Sequence, residues 1–244
     1  MLAAMNRIMA ALALAAASAF VAAAPAGAAE RRFTVTEFDR VVVEGPFQVR
    51  VSTGRSPGAA ATGSEQALDR VSIDVQGGTL RVRPNRSAWG GYPGGATGPV
   101  TIELSARTLR AATVNGAGSL SLGPLQRLLR LELSVEGSGR IAAPDVEADT
   151  LVVGLIGSGR IEVAGRAAQL RASVHGWAEL DASALTAQGA TIVTDTAGRV
   201  SAVVAREARV TASGIGDVEI AGAAACTVTG LSAGQVRCGN GRGR

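Results

Sequence analysis

The chain has 244 residues, a formal net charge of +4 and an aromatic content of only 3%, while glycine occurs 32 times. All 24 basic residues are arginine and they form no cluster of five or more, which argues against a nucleic-acid-binding surface. The prevalence of glycine, alanine and valine favours narrow, stacked elements over a wide globular core.

The N-terminal segment, residues 1–29, has the pattern of a secretory signal peptide. Arg7 supplies a positive charge, residues 8–21 are apolar, and residues 26–29 are small residues typical of a cleavage site. No other segment is apolar and long enough to cross a bilayer. We therefore expect an exported, soluble protein of the periplasm or cell surface, with no transmembrane segment after cleavage of the signal peptide.

The next part of the chain, residues 33–105, contains strand patterns of irregular spacing. A strand pattern at 80–83 follows Gly77 and Gly78, which signal a hairpin or a corner, and residues 65–70 are compatible with one helical turn. We interpret this region as early coils that cap the N-terminal end of the same core that the rest of the chain forms.

A glycine-rich stretch at 85–98 predicts a surface loop. It contains Trp89 and Tyr92, which are candidates for stacking on a sugar or contacting a protein partner. Exposed aromatic residues on loops are often recognition elements. The alternative is that both rings fold back and cap the N-terminal end of the core.

From residue 106 onwards a five-residue pattern recurs, namely Gly-Ser-Gly followed by a basic and an aliphatic residue. Full copies lie at 137–141 and 157–161, and looser copies lie at 116–120, 176–180, 196–200, 214–218 and 232–236. Successive copies are 21, 20, 19, 20, 18 and 18 residues apart. A regular interval near 20 residues indicates a solenoid, whose coils bury a common core only by stacking.

Aliphatic residues recur at fixed positions in each copy, alternating with polar ones as in half-buried strands. The residue two places after the second glycine position is Leu120, Ile141, Ile161, Leu180, Val200, Val218 or Val236. Each coil is therefore predicted to contain a strand, a tight glycine corner, a second strand and a looser connection such as 143–149. An array of antiparallel hairpins is the alternative, but these connections lack the Asn-Gly turns that it requires.

The predicted fold is all-β, a right-handed parallel β-helix. It has about seven marked coils of 18–21 residues at 106–239, preceded by the irregular N-terminal coils at 33–105. Because such coils are too thin to be stable alone, we expect residues 30–244 to form a single domain.

The only cysteines are Cys226 and Cys238. Both fall in aliphatic columns of the last coil, on opposite sides of its corner. In an exported protein, a pair of cysteines is expected to be oxidised. We therefore predict a disulfide that closes the C-terminal end of the solenoid.

Three motifs together resemble a known family. They are the strand pattern at 38–51, the Gly-Thr-Leu-Arg-Val element at 78–82 and the recurrent Gly-Ser-Gly-Arg-Ile. Over roughly residues 38–238, the chain is similar to the putative auto-transporter adhesin, head GIN domain family. The resemblance implies a bacterial exported β-helical domain of unknown function, without an assigned catalytic site.

A polysaccharide hydrolase or lyase is the alternative function for such a scaffold. Glu162 and Asp181 form an outward-facing carboxylate pair in successive coils, and their like charges are expected to raise a pKa. The single histidine, His175, is expected about two coils from both Glu136 and Asp195, too far for a hydrogen bond. One histidine and two separated cysteines do not supply a metal site. We therefore predict no catalytic residue, no metal and no cofactor.

Arg140 and Arg160 are predicted to stack in adjacent coils, where two guanidinium groups repel each other unless carboxylates or a bound anion intervene. Glu162 and Glu179 are close enough to neutralise them, and an anionic glycan or lipid headgroup is the alternative. We expect a non-catalytic, adhesin-like or envelope-associated binding scaffold. Its expected partner is a cell-envelope glycan or a surface protein, not nucleic acid.

Overall fold

The computed structural model describes residues 29–85, 98–231 and 235–239. Within these ranges it contains one helix, α1 (Glu65–Asp69), and seventeen strands in one continuous sheet. The strands are β1 (Ala29–Phe33), β2 (Arg40–Glu44), β3 (Gln48–Thr53), β4 (Gly58–Gly63), β5 (Val71–Gln76), β6 (Thr79–Pro84), β7 (Thr101–Ala106), β8 (Ala111–Gly116), β9 (Ser119–Leu122), β10 (Leu125–Gly137), β11 (Arg140–Gly157), β12 (Arg160–Gly176), β13 (Glu179–Thr196), β14 (Val200–Ala212), β15 (Val218–Ala221), β16 (Ala225–Thr229) and β17 (Val236–Cys238).

Strands β8–β17 stack in parallel as a β-solenoid of about six turns, which confirms the predicted fold class. The seven copies of the five-residue pattern are separated by six intervals, and this number agrees with the number of turns. Ile141, Ile161 and Leu180 lie in register one above another and are fully buried. Because each coil contributes only a few aliphatic side chains, this shared stripe is what makes the stack stable.

The connections between corners are strands with bulges, not the looser segments that we predicted. β11 continues from Arg140 to Gly157, and its register against β12 shifts between Ala143 and Val146. A bulge places an extra residue on one strand while the ladder resumes beyond it. The repeat interval can therefore drift from 21 to 18 residues while the corners remain stacked.

The glycine corners stack closely because they lack side chains. Gly137, Gly157 and Gly176 lie in register and have φ angles of +113°, +113° and +93°. A Cβ atom on Gly157 would lie only 2.6 Å from the carbonyl oxygen of Gly137. Both the backbone conformation and the close approach therefore require glycine at these corners.

The next corner replaces this glycine with Thr196, whose side chain is buried. The Thr196 hydroxyl lies 3.0 Å from the carbonyl oxygens of both Gly176 and Ala178, and it accepts a hydrogen bond from the Gly198 N–H. Thr196 does not have the positive φ of the earlier corner glycines. The hydrogen bonds of the Thr196 hydroxyl therefore stabilise this corner, whereas the earlier corners depend on the positive φ that glycine allows.

The N-terminal strands do not stack in chain order. β2 lies between β6 and β8, and β3 lies between β7 and β9, all in parallel. β5 pairs antiparallel with β6 as a hairpin through Gly77 and Gly78, and β4 pairs antiparallel with β7. Helix α1, capped by the Ser64 hydroxyl, joins β4 to β5 and buries Leu68 in the core.

The structure contains the predicted disulfide between Cys226 and Cys238. Cys226 lies in β16 beside Ala208, and Cys238 lies in β17 beside Ile220. The two Cα atoms are 6.4 Å apart, closer than the roughly 10 Å that usually separates facing sheets. The solenoid therefore narrows at this end, where the disulfide joins the last two strands that the structure describes.

Candidate functional site

The two predicted arginines occupy neighbouring coils but differ in their surroundings. The guanidinium of Arg160 lies 2.7 Å from Glu162, 2.9 Å from Glu179 and 3.8 Å from Asp181. The contact with Glu179 is a hydrogen bond, whereas the Nε–H of Arg160 is not aligned with Glu162, so that contact is an ion pair only. Three carboxylates around one guanidinium leave little positive charge for an external anion.

Arg140, by contrast, is exposed and lies in register beside Arg160. It forms no ion pair or side-chain hydrogen bond with any other residue in the described part of the chain. Of the two arginines, Arg140 is therefore the one whose charge is available to a ligand.

The carboxylate pair that we considered for glycan hydrolysis lies side by side in successive coils, as predicted. Glu162 and Asp181 are in register and line a shallow groove of about 230 Å³ with Ser183. The pKa of Asp181 is lowered, chiefly because the hydroxyl and the backbone N–H of Ser183 donate hydrogen bonds to its carboxylate, with a smaller contribution from Arg160. Our expectation that stacking raises a pKa is therefore wrong for Asp181, which is held ionised instead of poised as an acid.

Replacing Ser183 by alanine is expected to raise the pKa of Asp181 part of the way towards its ordinary value, because one of two hydrogen bonds to the carboxylate is lost. A pKa lowered by folding contributes stability above the unfolded-state pKa, and that contribution is lost as the pH falls through the folded-state pKa. The stability difference between native protein and Ser183→Ala should therefore be present at neutral pH and vanish in strong acid.

The measurement is an NMR titration of the carboxyl carbon of Asp181, combined with urea denaturation at several pH values. The matched control is Ser201→Ala, since Ser201 lies beside Asp181 in the next coil and makes no hydrogen bond to it. An unchanged midpoint for Asp181 in Ser183→Ala would show that these hydrogen bonds do not set its pKa.

The single histidine has closer neighbours than we predicted. His175 Nε2 lies 3.0 Å from the Ser173 hydroxyl, and Asp195 is in register with His175 in the adjacent coil, not two coils away. On the other side, His175 is in register with Ile156. Ser173, His175 and Asp195 lie on an outward, solvent-facing wall of the solenoid. Ser173 and Asp195 are exposed and His175 is half-buried, so bulk water reaches all three side chains.

Apolar residues along the glycine corners form a ridge that we did not predict from the sequence. Trp177, the half-buried Ala197 and Ile215 occupy the middle position of three successive corners, where the two preceding coils have serine. Trp177 is 73% exposed and Ile215 is 79% exposed, and Ile156 in the adjoining coil is 59% exposed. We call these four residues the corner ridge. Its signal in the sequence was the loss of the Gly-Ser-Gly pattern at these coils.

Two of the residues that we predicted to contact a partner, Trp89 and Tyr92, belong to residues 86–97, which lie outside the described residues.

In the ranges that are described, no group of three or more histidine, cysteine, aspartate or glutamate side chains is placed to hold a metal ion. None of the helices in those ranges is long and apolar enough to span a bilayer.

Comparison with protein families gives one match over most of the chain. Residues 37–224 match the family described as putative auto-transporter adhesin, head GIN domain. No curated protein is significantly similar in sequence.

Solved structures with the same fold include proteins from Bacteroides and Parabacteroides species. A putative adhesin from Bacteroides fragilis superposes with a TM-score of 0.72 at 15% identity, covering 84% of this chain and 94% of that protein. A putative lipid binding protein from Parabacteroides distasonis has a TM-score of 0.65 at 20% identity, covering 84% and 94%. A putative adhesin from Parabacteroides merdae has a TM-score of 0.65 at 17% identity, covering 87% and 95%. At these identities the similarity establishes the fold.

Proposed function

Because the chain belongs to the putative auto-transporter adhesin, head GIN domain family, we propose that it is an exported, non-catalytic, adhesin-like binding scaffold of the bacterial envelope. The proposed partner is a cell-envelope glycan or a surface protein. The proposed location, in the periplasm or on the cell surface, follows from the N-terminal signal pattern and from a disulfide that forms in oxidising compartments.

The observation that carries this proposal is the corner ridge. A tryptophan that is 73% exposed on a solenoid corner exposes a large apolar surface to water and contributes little to the core. The backbone beneath it is rigidly held, because the Trp177 N–H donates to the Gly157 carbonyl and the next corner is held by Thr196. An aromatic side chain on a fixed backbone has few rotatable bonds to order, so it binds a sugar ring or a protein side chain at low entropic cost.

Three further residues are proposed to contribute to binding. In the sequence, Trp89 and Tyr92 lie between β6 and β7. Strand β6 pairs with β2 and β7 pairs with β3, and the Gly45 corner lies between β2 and β3. Arg140, which has no carboxylate partner among the described residues, is proposed to contact an anionic group of the partner. Stacked coils present such contacts at regular spacing, so several weak sites can act together.

Replacing Trp177 by alanine is expected to weaken binding about tenfold, since a buried tryptophan contact contributes about 1–2 kcal/mol or more. The measurement is the affinity of the purified protein for arrays of envelope glycans and for solubilised surface proteins. Trp177→Phe should retain most of the affinity, because it keeps an aromatic face at the same corner.

The apolar control is Leu231→Ala, which removes a side chain that is 96% exposed and lies outside the corner ridge. Equal affinity of native protein and Trp177→Ala for every partner bound would contradict the role of the ridge. Release of reducing sugar that is abolished by Glu162→Gln would contradict the non-catalytic proposal.

A further inference from the structure

A second exposed feature lies on the edge opposite the glycine corners, where strand β10 contains one extra residue. Three residue steps separate Leu125 from Leu128, whereas the paired positions Val146 and Ala148 in β11 are two steps apart. The coil that contains β10 is also the longest, at 21 residues. This insertion therefore forms a bulge, a device that redirects side chains at a sheet edge.

The bulge places the backbone in an unusual conformation. Arg127 has a φ angle of +57°, and no other non-glycine residue described in the structure has a positive φ. The left-handed conformation costs an arginine about 1 kcal/mol, a cost that glycine or asparagine would largely avoid. Two residues later, Leu129 projects from the edge with 81% of its surface exposed. A strained backbone next to a projecting leucine indicates that this edge is a functional surface.

Positive charge surrounds this leucine on one side. Arg40, Arg110, Arg127 and Arg130 line a groove of about 470 Å³ next to Leu129. The carboxylates near them are Asp39, which lies 3.4 Å from Arg110 and 3.9 Å from Arg40, and Glu132, which lies 3.9 Å from Arg130. Four arginines therefore face two carboxylates through long contacts, and Arg127 has no ion pair with a described residue.

The groove on the other side of Leu129 has a different charge. It is lined by the carboxylates Glu147 and Asp149 and by two arginines, Arg166, which lies 3.5 Å from Glu147, and Arg127, which lines both grooves. The excess of basic charge therefore lies on the side nearer the N-terminal cap. A ligand that uses this surface must be anionic where it meets the arginines and apolar where it meets Leu129.

We propose that this edge, defined by Leu129 and the four arginines, docks the protein on an anionic lipid bilayer surface. In this orientation Leu129 enters the boundary between headgroups and acyl chains, and the arginines contact lipid phosphates. The leucine favours a bilayer over a soluble polyanion, because a polysaccharide would neutralise the arginines but leave the apolar side chain in water. This proposal concerns a surface separate from the corner ridge and does not depend on the adhesin-like function.

The test is cosedimentation of the full protein with lipid vesicles of phosphatidylcholine, with and without phosphatidylglycerol. Native protein should bind only the vesicles that contain phosphatidylglycerol, and less as salt is raised. Removing both central arginines, as Arg127→Asn with Arg130→Gln, should lower the partition coefficient about 30-fold, since each basic residue near an anionic surface contributes about a factor of five. Asparagine is chosen at position 127 because it tolerates the left-handed conformation. Leu129→Ala should lower partitioning about tenfold without changing its dependence on salt.

Matched controls are Arg50→Gln, which removes an exposed arginine from strand β3, and Leu231→Ala, which removes an exposed leucine that belongs to neither proposed surface. Both should partition like native protein. The proposal is overturned if native protein does not bind phosphatidylglycerol vesicles, or if the arginine and Leu129 variants bind them as well as native protein. Binding to soluble dextran sulfate that depends on the arginines but not on Leu129, without vesicle binding, would assign the edge to polysaccharide instead.

Discussion

Gly157→Ala is expected to lower the free energy of unfolding by about 3 kcal/mol, a large loss for the addition of one methyl group. At φ +113° an alanine is strained, and its Cβ atom would lie 2.6 Å from the carbonyl oxygen of Gly137. That oxygen already accepts a 2.8 Å hydrogen bond from the Ser158 N–H. The corner must therefore move, and the stacking of two coils is disturbed with it.

The matched control is Gly154→Ala, three residues earlier in the same strand. Gly154 faces outward without a positive φ, and an added Cβ atom would meet the Ser134 side chain at an ordinary 3.4 Å. This substitution should change stability by no more than about 0.5 kcal/mol. Thermal denaturation followed by circular dichroism separates the two variants, because 3 kcal/mol corresponds to about 6–12 °C for a domain of this size. Similar melting temperatures would show that the corners are not closely packed.

Removing the disulfide, by Cys226→Ala with Cys238→Ala, is expected to cost about 3 kcal/mol. The bridge spans a sequence separation of 12 residues, and closing a loop of this length restricts the unfolded chain by about that amount. In a solenoid each coil contacts only its neighbours, so the loss should appear first at the C-terminal coil and not throughout the molecule.

Hydrogen exchange measures this localisation. Amides of β16 and β17 should exchange faster in the double variant, while those of the central strand β12 should keep their protection. Thiol titration of the native protein under denaturing conditions without reductant is the control, and it should find no reactive thiol. Two reactive thiols, or loss of protection spread evenly over all coils, would contradict this account of the bridge.

The repeated part of the chain could be predicted because its signal is local and occurs several times. The alternation around Ile141, Ile161 and Leu180 places one face of each strand inward, and the regular interval requires equivalent residues to stack. The positions of Cys226 and Cys238 in inward columns were enough to predict their pairing. The bulges were missed, because alternation lost over two or three residues resembles a loop.

The order in which the N-terminal strands pair could not be predicted from their sequence patterns. A sequence shows which residues form β2 and β6, but the insertion of β2 between β6 and β8 depends on long-range pairing that leaves no periodic signal. Asp195 is a different case: it immediately precedes the copy at 196–200, as His175 precedes the copy at 176–180, so the repeat itself places the two residues in adjacent coils.

The sequence by itself thus determined the solenoid, its glycine corners, its aliphatic stripes and its terminal disulfide, because hydrophobic alternation and glycine chemistry act over short distances. Only the tertiary structure decided which polar groups meet and which apolar groups remain exposed. It surrounded Arg160 with three carboxylates, and it left Trp177 and Leu129 in water at opposite edges. The physical reason is that charge pairing and exposure depend on register and on bulges between coils, which the packing of the whole stack sets.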